Sequence, residues 1–153
     1  SVVPPPDQGG RLLVLANGAY GERLAAMAGK AGIDCTVARV GETEAFTAAE
    51  AEKHVAGGNY SHVAMVHHET TAGVLNPIGE VGAVVRQHLP NASFFVDSMS
   101  AFGAYDVDME RDNVDYLVSS ANKNIEGVPG FSFAICNREL LERDGVHART
   151  VTL

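Results

Sequence analysis

Asp97 and Lys123 are the residues whose type and surroundings best suit chemistry. Asp97 closes the apolar run Phe94-Phe95-Val96, and a carboxylate there needs a partner to stay ionised at low cost. Its plainer alternative is a turn or helix-capping aspartate. Lys123 lies between Ser119-Ser120-Ala121-Asn122 and the glycine-rich Gly127-Val128-Pro129-Gly130, a stretch with few other charges. Most lysines are solvated surface cations. A lysine partly buried here would lose solvation, its pKa would fall, and its neutral amine would become a usable nucleophile. His67-His68-Glu69 is a third polar cluster. Neighbours on a strand point to opposite faces, so His67 and His68 do not readily share one ion, and no metal site is expected.

These residues matter only if the fold gathers them. Short apolar runs predict strands over Arg11–Asn17, Asp34–Val40, His62–His67, Ser93–Asp97, Asp115–Ser120 and Phe131–Cys136. Helical spacing of Leu24, Ala25, Met27, Ala28 and Ala31 predicts a helix over Gly21–Ala31, which Gly32 stops. Thr47 with Glu50 three residues on reads as a capping box opening a helix to about Val55. Asn76-Pro77 precedes a helix over Ile78–His88, closed by Pro90, and Arg138–Arg143 starts a last one.

Strands alternating with helices imply an α/β fold, a mostly parallel sheet covered on both faces in three layers. The last connection is too short for a parallel crossover and has no helical pattern, so the sixth strand is expected to run antiparallel at the sheet edge. The Asp34–Val40 strand is expected at the other edge. In such sheets ligands bind beyond the strand carboxyl ends. Asn17–Gly21, His67–Thr71, Asp97–Ser100 and Ser119–Lys123 all follow strands in this way and should converge on one rim.

Composition narrows the classes. The chain has 153 residues, 46% hydrophobic and 20% charged, enough for a real core in one domain or part of one. Eleven Lys and Arg against 19 Asp and Glu give a net charge of −8, which argues against a nucleic-acid partner. No apolar run approaches a membrane helix, and Ser1–Gln8 lacks the pattern of a signal peptide. Two cysteines, Cys35 and Cys136, make no disulfide framework, so the cytoplasm is the default expectation. The strand over Arg11–Asn17 is not followed by Gly-x-Gly-x-x-Gly, which disfavours a dinucleotide-binding domain.

A carboxylate and an amine at neighbouring strand ends suit a pyridoxal 5′-phosphate site, where the aspartate pairs with the pyridinium nitrogen and the lysine forms the Schiff base. The residues around them strengthen that reading. Leu12–Arg23, His67–Pro77, Val96–Gly103, Asp115–Lys123 and Gly127–Phe131 together resemble the class V aminotransferases of fold type I. Within that family they are most similar to the phosphonate branch, and the resemblance covers nearly the whole chain. It implies a fold type I large domain, pyridoxal phosphate as cofactor and a homodimer. It also implies transfer of an amino group from 2-aminoethylphosphonate to pyruvate.

By this resemblance Lys123 is the catalytic and cofactor-bonding lysine and Asp97 the ring-nitrogen partner. Tyr20 falls where relatives stack an aromatic ring on the cofactor, and Thr70 where they have a hydroxyl beside it. Ser120 is a further candidate for a phosphate or ring contact. His67 and Glu69 are structural polar groups under the site. Tyr20 and Thr70 also have plainer readings, as a loop aromatic and a turn residue.

Ala72 stands where the phosphonate branch has a third threonine, and Asn124 and Glu126 stand where it has Cys and Gln. Glu126 brings negative charge towards a site for an anionic substrate. The alternatives are therefore another class V reaction, of the alanine– or serine–glyoxylate type, or a non-catalytic remnant of the fold. Relatives are more than twice this long. Residues 1–153 are thus expected to be the central part of the cofactor domain, without the phosphate-loop segment before it or the small domain after it. The chain by itself is then expected not to be a competent transaminase, with a helix N-terminus near Gly21 supplying only part of the phosphate's donors.

Overall fold

The computed structural model describes residues 3–144, without the side chain of Asp144; the tail at 147–153, expected to precede a further domain, lies outside them. The elements in chain order are a 3-10 turn at Pro6–Gln8, β1 Leu12–Ala16, α1 Ala19–Lys30, β2 Cys35–Arg39, α2 Ala48–Val55, β3 His62–Val66, β4 His68–Glu69, β5 Val74–Leu75, α3 Ile78–His88, β6 Ser93–Asp97, β7 Tyr116–Ser120, β8 Ser132–Cys136 and α4 Arg138–Asp144. All six expected long strands form, and so do the helices. The antiparallel ribbon of β4 and β5 carries no strand pattern in the sequence. Thr47 caps α2 as its type predicts, its hydroxyl accepting the Glu50 N–H at 3.3 Å.

The main sheet has the order β2-β1-β3-β6-β7-β8. Every pair is parallel except β7 with β8, as the short 121–131 connection demands. Alternation along β1 explains why its run is wholly apolar. Leu13 and Leu15 enter the larger core with Phe46, Val55, Val81, Val85 and Phe94. Leu12, Val14 and Ala16 face the other way, onto Ala28 and Leu24 of α1. Both faces are dry, so no polar residue fits in this strand. Helix α3 comes so close to the turn before β7 that a Cβ on Gly82 would run into the Asp112 carbonyl. The edge strand β8 is the most exposed of the long strands, with Ile135 open to solvent.

The chain leaves β1 towards β2 on one side and returns through β3 to β6 and β7 on the other. This reversal makes the carboxyl ends of β1 and β3 the switch point of the topology, the place where α/β sheets bind ligands.

Candidate functional site

A buried amide pair joins the elements at this switch point. Asn17, just past β1, and Asn76, just before α3, bond each other reciprocally at 3.0 Å. Asn17 also donates to the Glu44 carbonyl, while Asn76 donates to the Val66 carbonyl and accepts the Phe46 N–H. Both are nearly inaccessible, and this exchange of bonds makes their burial tolerable. It pins the ends of β1 and β3 and the start of α3 to one point.

Above it lies Glu69, with 0% exposure. Its carboxylate accepts the Tyr20 N–H at 3.1 Å, the Gly21 N–H at 3.2 Å and the Thr71 hydroxyl at 2.8 Å. It therefore caps α1 from β4, because Gly18 at the N-cap has no side chain to do so. A Cβ on Gly18 would run into Glu69 Cγ. This cap explains why α1 begins at Ala19, ahead of the expected Gly21. It also corrects the expectation that amides near Gly21 serve a phosphate: those of Tyr20 and Gly21 are already taken.

His67 is 4% exposed, beside the Ser98 hydroxyl at 3.3 Å and the Tyr105 ring, with centroids 6.1 Å apart. Burial pushes its pKa down to about 4; the Asp112 charge opposes the fall and His68 adds to it. His67 is therefore neutral near pH 7. His68 bonds Ser100 twice: Nδ1 donates to the Ser100 carbonyl at 3.2 Å, and the Ser100 hydroxyl donates to the His68 carbonyl at 3.0 Å.

Asp97 ends β6, half-buried, with its carboxylate accepting the Met99 N–H at 3.0 Å. Burial raises its pKa, the Met99 N–H opposes this, and the nearby Glu69 charge raises it further. Among the described residues no lysine, arginine or histidine forms an ion pair with it. This carboxylate is short of a cation, which is what a pyridinium nitrogen would supply.

Lys123 follows β7 in a tight turn. Its carbonyl accepts the Glu126 N–H at 2.8 Å, and the Gly127 N–H returns to the Ala121 carbonyl at 2.8 Å. Glu126 takes the left-handed conformation this requires, at φ 60°. Lys123 is exposed, as is all of 122–132, which corrects the expectation of a partly buried amine. The Asn124 side chain donates to the Ser100 carbonyl at 2.9 Å, which ties this turn to the segment after β6. Ser120 is buried, and its hydroxyl donates to Asn122 Oδ1 at 2.9 Å.

Tyr20, Thr70, Asp97, Ser120 and Lys123 thus all stand at the carboxyl end of the parallel strands. Glu69 ties the Tyr20 segment to the Thr70 turn, and Ser100 ties the His68, Asp97 and Lys123 segments together. Asp97 and Lys123 do not bond each other. The side chains of Tyr20, 42% exposed, and Thr70 point free of other bonds among the described residues. Sequence reasoning missed Glu69 as a cap and Ser100 as a junction. The only local signal for the first was a helix opening on glycine with no capping side chain. An open cavity of about 700 Å³ lies at the opposite rim, lined by Arg86, Asp115 and Cys136, away from these residues.

The sequence pattern of the family described as aminotransferase class-V matches residues 2–145. The 2-aminoethylphosphonate–pyruvate transaminase of Salmonella typhimurium is 41% identical over the whole chain, and that of Vibrio cholerae 44%. The chain spans 41% of each of these relatives. Among solved structures, an alanine–glyoxylate aminotransferase from Nostoc sp. superposes with a TM-score of 0.85 at 26% identity, over 97% of this chain and 38% of that one. A pyridoxamine–pyruvate aminotransferase from Mesorhizobium loti gives 0.81 at 25%, over 94% and 36%. Class V enzymes use pyridoxal phosphate, and an unpaired half-buried carboxylate, an accessible lysine and an open aromatic ring at one sheet end fit that group. With the match across nearly its whole length, the chain belongs to the class V aminotransferase family.

Proposed function

We propose that the protein carrying this chain transfers the amino group of 2-aminoethylphosphonate to pyruvate, giving phosphonoacetaldehyde and alanine. The observation that carries this is the 41–44% identity, over the whole chain, to relatives bearing that name. Bound pyridoxal phosphate supplies an electron sink for the negative charge left when the amine-bearing carbon loses its proton. Asp97 would pair with the ring nitrogen and keep it protonated, and that cation would repay the cost of burying its carboxylate. Lys123 Nζ would hold the cofactor and, freed by the incoming substrate amine, would take the proton from that carbon and pass it to the cofactor, the transfer that transamination needs. Its exposed turn leaves the side chain free to do both. Tyr20 restrains the ring by stacking. Thr70 would donate a hydroxyl bond to the cofactor, and Ser120, bonded to Asn122, supports the segment leading to Lys123.

Residues 1–153 are read as the central part of the cofactor domain of a longer, cytoplasmic homodimer. The 41% share of the relatives' length supports the reading of a longer protein. On this reading the 153-residue piece alone turns over no substrate.

A second reading, transamination with glyoxylate, is favoured by the acidic Glu126 beside Lys123 and by the likeness to the Nostoc enzyme. Half-reactions separate the two. The native protein loaded with pyridoxal phosphate is mixed singly with 2-aminoethylphosphonate, alanine and serine while its visible absorbance is followed. The phosphonate should bleach the band, and Lys123→Ala should have no such band. A response to serine and none to the phosphonate would overturn the assignment.

A further inference from the structure

Helix α1 could be capped cheaply by a serine or aspartate at position 18. Instead Gly18 makes room for a glutamate from β4, and a fully buried carboxylate is held by three neutral donors and no cation. Such burial costs more than a local cap would, and what it adds is a link between two segments. The Glu69 side chain holds the Tyr20–Gly21 peptide. Its own carbonyl accepts the Gly73 N–H at 2.9 Å and the Ala72 N–H at 3.3 Å, closing the turn that carries Thr70. Neither Tyr20 nor Thr70 has a side-chain bond of its own among the described residues, so each is aimed by its backbone.

We infer that Glu69 is the positioning residue that sets the Tyr20 ring and the Thr70 hydroxyl against the cofactor, acting through the α1 amides and the turn it closes. This rests on the cofactor reading above. The amides of Tyr20 and Gly21 lie in the first turn of α1, where no intrahelical partner exists, and among the described residues Glu69 is the acceptor that holds them.

The test uses the native protein, with amide exchange read without cofactor and pyridoxal phosphate dissociation read by absorbance. Glu69→Gln keeps the shape and one acceptor but loses the charge. It should speed exchange at Tyr20 and Gly21 about fivefold, since charge-assisted bonds are roughly twice as strong as neutral ones, and leave β1 and β3 unchanged. It should also weaken cofactor binding about tenfold, as expected for a lost supporting contact. In a Tyr20→Leu background that tenfold should shrink to about threefold, because the share of the effect that runs through the Tyr20 ring is gone and only the share through Thr70 is left.

An equal loss in both backgrounds, or no change at the two amides, would overturn the inference. If Glu69→Gln does not fold, Thr71→Val removes one donor only and must give the same local pattern at smaller amplitude; unchanged exchange and affinity there would overturn it as well. Wild-type protein that takes up no pyridoxal phosphate refutes the cofactor reading itself, whereas uptake that ignores Glu69 refutes this inference alone.

Discussion

Acid should weaken this protein through His67. The ring is buried with a hydroxyl and an aromatic for neighbours, and its pKa falls from 6.5 to about 4. Between those values the unfolded chain binds a proton that the folded chain refuses. Stability is therefore complete above about pH 6.5 and declines as pH falls towards 4. At 1.36 kcal/mol per pKa unit the full effect is about 3 kcal/mol, and about 2.5 kcal/mol of it is lost by pH 4.5. Urea unfolding at pH 7 and pH 4.5 measures the difference, and His67→Gln, which cannot charge, should lose that much less on acidification. Other carboxylates titrate in both proteins and cancel in the comparison. An NMR titration of the ring gives the midpoint directly. A midpoint near 6.5, or equal acid sensitivity of the two proteins, would refute the reasoning.

Asp97 titrates with the opposite sign. Its folded pKa is raised, so the ionised form costs stability above the ordinary carboxylate range. Asp97→Asn should raise the melting temperature of cofactor-free protein at pH 7, and the gain should vanish below about pH 3.8, the ordinary aspartate value; a loss at pH 7 would count against it. Asn76→Ala orphans the Val66 carbonyl and the Phe46 N–H in a dry site, which should cost roughly 3 kcal/mol in urea unfolding. A cost below about 1 kcal/mol, that of a single ordinary hydrogen bond, would mean the amide pair is dispensable. Gly18→Ala should destabilise by about 1–3 kcal/mol through the clash with Glu69 Cγ, and Glu69→Ala should restore part of that loss in the double variant.

The sequence by itself determined the six long strands, the helices and the sense of β8, because periodicity and connection length act locally. It also marked the rim, since polar residues following apolar strands have only one end of a parallel sheet to occupy. Asp97 at the end of Phe94-Phe95-Val96 was legible for that reason. Lys123 was legible by type and neighbours, but its exposure was not. Burial depends on what packs over the 122–132 turn, and no residue within that turn encodes it.

Only the tertiary structure decided where the charges go. Glu69 reads as one polar residue after two histidines. Its partners sit 48 and 49 positions away on α1, and they exist because the sheet order places the end of β3 beside the end of β1. The same juxtaposition pairs Asn17 with Asn76, which no spacing in the chain suggests. Hydrogen bonds between distant strand ends are set by register, and register follows from packing both faces of the sheet at once.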